Sequence, residues 1–207
     1  MPGIRTGRGL DRLVNFTDAA VAIAITLLVL PLVDLVTDGS PPSVRSLLTD
    51  GADTFLAFGI SFVVIASFWV GHHRLFEHLQ DYSPALLRTN FLWLASIVLL
   101  PFTTQLLADV GTDDRSVNAL YISTMVVTTG SLLVLEWLAV RDPLLQRPEV
   151  RGTLSLRGAS VALALLLLAL VLAVGFPGVG MFWLLLLLLS GPLTRLGRRR
   201  PTADGTT

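Results

Sequence analysis

Residues Arg12–Leu30 read RLVNFTDAAVAIAITLLVL. From Ala19 to Leu30 the only polar side chain is Thr26, whereas Arg12, Asn15, Thr17 and Asp18 crowd the first turns. About 20 helical residues cross roughly 30 Å of hydrocarbon, so the stretch reads as a transmembrane helix with a carboxylate near its start. A charge at that depth is costly unless partnered. Asp18 therefore marks either a built polar network or a path for ions or protons.

The rest of the chain fits a membrane setting. Its 207 residues are 53% hydrophobic and 14% charged, with mean hydropathy +0.72, outside the range of soluble domains. Apolar segments at 13–33, 54–72, 89–107, 117–140, 158–175 and 179–194 predict an all-α integral membrane bundle of six transmembrane helices. They form a single domain over residues 1–200, followed by a polar, disordered tail at 201–207. The last two segments are separated only by Phe176, Pro177, Gly178 and Val179, which predicts a tight helical hairpin. Asp18 and the lack of a small-residue cleavage site argue that the first helix is retained rather than removed as a signal peptide.

Several function classes are disfavoured. With no cysteine there are neither disulfides nor thiolate metal ligands. No Gly-rich phosphate loop or repeat of about 20 to 50 residues occurs, and no nucleic-acid partner is expected. Every basic residue is an arginine. With the amino terminus inside, thirteen arginines fall on cytoplasmic segments and only Arg45 and Arg115 outside, so both termini are expected in the cytoplasm. The outer loops hold Asp34, Asp38, Asp50, Asp53, Asp109, Asp113 and Asp114, either an ordinary solvated rim or one that concentrates cations.

Helical periodicity divides the first helix. Ile23 and Leu30 fall within about 20° of each other, Leu27 about 40° to one side of Ile23 and Thr26 about 60° to the other. This stripe is either bundle core or, facing a central axis, a hydrophobic constriction with Thr26 as its one hydroxyl. Asp18 sits about 140° around from Ile23, so it does not share that face. Ala20 and Ala24 permit close approach of a neighbouring helix. Arg12 snorkels to water, and Pro31 ends the apolar run.

A second polar cluster ends the next helix: Trp69, His72, His73, Arg74, His78 and Asp81. A histidine there, at the depth of Thr17 and Asp18, is expected to partner Asp18, with Asn90 of the third helix as a further member. His72, His73, His78 and Asp81 are chemically suitable metal ligands, but their spacing matches no metal signature and no metal or cofactor is expected. No nucleophile or carboxylate pair accompanies them, so no enzymatic chemistry is expected. Glu136 is expected to snorkel or to pair with Arg141.

Arg12-x-x-x-Phe16-Thr17-Asp18, continuing through AAVAIAITLLVL to Leu30, resembles the R-x-x-x-F-S-D signature of the transmembrane protein 175 potassium channel family, in its bacterial single-repeat branch. Trp69-x-x-His72-His73-Arg74, Asp81, Asn90 and Pro101-Phe102-Thr103 follow that family's second and third helices in order. Thr17 stands where serine is usual, and Val21 where relatives often carry an aromatic. The resemblance covers residues 10–107; beyond them it is one of topology. It implies a potassium-selective channel of the bacterial plasma membrane, a homotetramer in membrane lipid with the first helix lining the pore. In that reading Ile23, Thr26, Leu27 and Leu30 line the ion path, and Phe16, Thr17 and Asp18 belong to a packing and hydrogen-bond network with Arg12, His72, His73 and Asn90. The alternative is a proton-coupled small-solute transporter in which Asp18 titrates.

Overall fold

A computed structural model describes residues 7–37, 43–110 and 114–176. The expected segment 179–194, the hairpin before it and the tail lie outside the described residues. Helices run α1 (Gly7–Leu27), α2 (Leu30–Thr37), α3 (Val44–Asp50), α4 (Ala52–Glu77), α5 (Pro84–Val110), α6 (Arg115–Arg141) and α7 (Arg157–Gly175). Two 3-10 turns, Pro143–Leu145 and Pro148–Val150, join α6 to α7. Among the described residues five spans are long and apolar enough to cross a membrane: Arg8–Val36, α4, α5, α6 and α7. The protein is an all-α, multi-pass membrane bundle.

Local chemistry sets several ends. Ser83 accepts a bond from the Leu86 amide ahead of Pro84, a first-turn proline whose missing amide hydrogen costs nothing there. Asp114 caps α6 through the Ser116 and Val117 amides at 2.7 and 3.1 Å. The short α3, inside the expected outer loop, is capped by Ser43, whose hydroxyl accepts from the Ser46 amide.

The first span is not one continuous helix. The Leu28 and Val29 amides reach back to Ile25 and Thr26, three residues rather than four, and regular helix resumes at Leu30. Pro31 explains the break: it has no amide hydrogen for the Leu27 carbonyl, and its ring crowds that carbonyl. The chain therefore breaks before the proline and continues as α2 instead of stopping. The angular register drawn for Ile23, Thr26 and Leu27 does not extend rigidly to Leu30.

The core sits on α5 and α6. Half or more of their apolar windows are buried, against 17% for the first span, 11% for α4 and 22% for α7. Trp93, Ile97, Leu100, Ile122, Met125 and Leu135 fill this centre. Hydroxyl pairs pin the helices, Ser61 to Thr104 and Thr128 to Ser96, each at 2.9 Å. Close packing recurs where α4 crosses α6: a Cβ on Gly71 would lie 3.1 Å from Leu132 Cδ2. Gly71→Leu is expected to destabilise the bundle by about 1–3 kcal/mol and Gly71→Ala by less, since a terminal methyl yields more easily than backbone. Thermal melting of the purified protein in detergent checks the order.

The helices alternate in direction, and one end gathers the amino ends of α1, α5 and α7 with the carboxyl ends of α4 and α6. Tyr82 lies against Gly9 there, and Leu79 pairs with Gln146 in an isolated antiparallel bridge. Arg8, Arg12, Arg74, Arg88, Arg141, Arg147, Arg151 and Arg157 all belong to this end.

Candidate functional site

One face of α1 is built into the bundle. Leu10, Leu13, Thr17, Val21, Ala24 and Leu28 are buried at spacings of three or four, the seam expected of a packed helix. Thr17 donates to the Leu13 carbonyl and accepts from Asn90 Nδ2, each at 2.9 Å. Because the Asn90 amide nitrogen is spent on Thr17, its Oδ1 is the acceptor for His72 Nε2 at 2.7 Å, which places the imidazole proton on Nε2. The His72 ring lies between Phe76 and Trp93, at centroid distances of 4.2 and 4.1 Å. Thr17, His72 and Asn90 are all buried, and the chain His72–Asn90–Thr17 joins α4, α5 and α1 at one depth.

Asp18 is met by Trp69, whose Nε1 donates to Oδ1 at 2.9 Å, and not by a histidine as expected. Trp69 and His72 lie about 60° apart around α4, so Trp69 turns to α1 while His72 turns to α5. His73 stacks on Trp69 at 5.0 Å and reaches Glu77 at 3.4 Å. It steadies the tryptophan from outside the buried chain. Phe16 is half exposed and tilts against Phe91 at 6.1 Å. Arg12 is exposed, and no described bond ties it to the cluster.

Trp69 and Trp93 are the members that residue depth did not assign. Their signal was spacing, since Trp69 stands four before His73 on α4 and Trp93 three after Asn90 on α5, each pair on one helical face. Elsewhere the Arg141 guanidinium lies over the Trp137 ring at 5.1 Å rather than on Glu136. Arg141 sits at the last helical turn, where it meets the ring one turn back. Glu136 is half-buried, with Oε2 lacking a hydrogen bond among the described residues. His78 Nδ1 bonds the Arg74 carbonyl at 2.6 Å, a helix-end contact. Among the described residues no group of three or more His, Asp or Glu side chains is placed to hold a metal.

The other face of the first span is bare. Ile23 is 61% exposed, Leu27 39% and Leu30 50%, and Thr26 is exposed too. The stripe is therefore not the core of its own subunit. Thr26 donates its hydroxyl hydrogen to the Ile23 carbonyl at 2.7 Å, so its outward oxygen presents only lone pairs. This surface offers apolar walls and one acceptor oxygen. None of these four side chains is titratable.

A family profile described as "Endosomal/lysosomal potassium channel TMEM175" matches residues 12–101. A potassium channel of Streptomyces collinus is 32% identical over 150 residues, 69% of this chain and 72% of that protein. One from Chamaesiphon minutus is 40% identical over 103 residues, 47% of this chain and 49% of that protein. In three dimensions the chain resembles the crystal structure of a lysosomal potassium-selective channel TMEM175 homolog from Chamaesiphon minutus. The TM-score is 0.58 at 26% identity, covering 88% of this chain and 98% of that one. The chain belongs to the TMEM175 potassium channel family, a family of channels and not of enzymes.

Proposed function

We propose that this chain conducts potassium passively, as a six-helix subunit whose α1 faces a central axis in a homotetramer of the bacterial plasma membrane. Ile23, Leu27 and Leu30 form the hydrophobic constriction, and Thr26 is the hydroxyl within it. The observation that carries the reading is the two-faced α1: one side clasped by Asn90 and Trp69, the other an apolar stripe left open. Its relatives are named potassium channels, and the matched solved structure is of a potassium-selective one. The thirteen-to-two arginine distribution supports cytoplasmic termini.

An uncharged constriction does not attract a cation by charge. It discriminates by requiring ions to shed water at a narrow apolar passage that otherwise dewets. The Thr26 oxygen, its hydrogen committed to the backbone, favours a cation at the one polar level. Asp18, hydrogen-bonded to Trp69 off this face, positions the helix and does not touch the ion.

Purified protein in potassium-loaded liposomes is expected to pass potassium in preference to sodium without saturation. Absence of cation flux overturns the reading. Asp18→Asn keeps an oxygen for Trp69, and the assembled variant is expected to retain flux. Saturable, pH-driven uptake abolished by Asp18→Asn would instead establish the proton-coupled transporter.

A further inference from the structure

At the arginine-rich end a cleft of about 420 Å³ opens between α1, α4 and the α6–α7 connection. Its volume lies in the range of small-molecule sites. Asp11 and Glu77 supply carboxylates, the latter with one oxygen 3.4 Å from His73 Nε2, Arg147 supplies a guanidinium, and Leu10, Val14 and Phe76 supply apolar wall. Arg147 is anchored: its amide donates to the His78 carbonyl at 2.9 Å and its Nε to the Leu79 carbonyl at 3.1 Å. Its two terminal nitrogens form no described bond, and no ion pair within 4 Å joins Arg147 to Asp11 or Glu77. Arg147 and the two carboxylates thus share one cleft without closing on each other.

We propose that this cleft binds a phosphoethanolamine group, with Arg147 taking the phosphate and Asp11 and Glu77 the primary ammonium. A guanidinium fork suits phosphate oxygens, and a primary ammonium has three N–H donors for two carboxylates. Such a group gives each sign of charge in the cleft an opposite partner, where a simple anion or a polyamine leaves one side unmatched. The group can come from a membrane lipid or from the free headgroup. The lipid source fits a cleft with apolar wall, beside the ends of two membrane-spanning helices.

Native mass spectrometry of the purified full-length protein tests this, comparing phosphatidylethanolamine with phosphatidylcholine and phosphatidylglycerol of identical acyl chains. The choline headgroup keeps the charge but has no N–H, and the glycerol headgroup has no ammonium. Retention of the ethanolamine lipid is expected to exceed both by roughly tenfold. Asp11→Asn with Glu77→Gln removes the preference over choline, and Arg147→Gln weakens retention of all three. Because Asp11 is exposed on α1, the single variant Asp11→Asn is expected to fold and to cut the preference severalfold. Displacement by soluble phosphoethanolamine assigns the site to the headgroup chemistry alone; resistance to it assigns the site to the lipid. Equal retention of the three lipids, or a preference untouched by the variants, overturns the proposal, and neither result bears on whether the chain conducts ions.

Discussion

Asn90→Ala is expected to destabilise the subunit by about 2–4 kcal/mol, since a buried polar group stripped of its partner costs about 1–3 kcal/mol. Two groups are stripped at once. His72 Nε2–H loses its acceptor, and Thr17 loses the amide that fixes it to α5. Neither finds water, because His72 is closed in by Phe76 and Trp93 and Thr17 is fully buried. Against a typical total of about 5–15 kcal/mol this is a large fraction, and it should lower the thermal midpoint in detergent by on the order of 10 °C. Arg12→Gln, outside the cluster, should change stability by no more than about 0.5 kcal/mol. Equal midpoints for the two variants would show that the His72–Asn90–Thr17 chain does not hold α1 in place.

The largest effect on function is expected from Ile23→Asn. Ile23 is the most exposed of the stripe's three aliphatic residues, and its carbonyl already holds the Thr26 hydroxyl. An amide at this level brings both a donor and an acceptor into the constriction, so water enters and an ion no longer has to dehydrate to pass. Sodium, which holds its hydration shell more tightly than potassium, gains most. Sodium flux in liposomes should rise roughly tenfold, what about 1.4 kcal/mol off a barrier produces. The potassium preference should fall toward unity. An unchanged ratio would place the ion path elsewhere.

Much of this arrangement was legible in the residues. Hydropathy located the described spans because segment length and apolarity are properties of the chain itself. The separation of Asp18 from Ile23 followed from helical angle alone, and the structure puts Asp18 beside Trp69 and leaves Ile23 bare. Residue depth brought Thr17, His72 and Asn90 to one level but did not say which of them touch. That depends on how each helix is rotated against its neighbours, a product of packing at places such as Gly71 against Leu132. Hence the histidine expected at Asp18 is a tryptophan. Pro31 signalled an interruption, yet its effect falls on the carbonyl four residues earlier, so the break precedes it. The seven-residue α3 is too short to show a period.

The chain has no cysteine, so a single introduced thiol reports without background. Silver ions, small cations that bind thiolates, can be added to liposomes carrying Thr26→Cys or Leu168→Cys, the latter 47% exposed on α7. If α1 lines the ion path, silver blocks potassium flux through Thr26→Cys and leaves Leu168→Cys conducting. Continued flux through Thr26→Cys, or equal block of both, would contradict it.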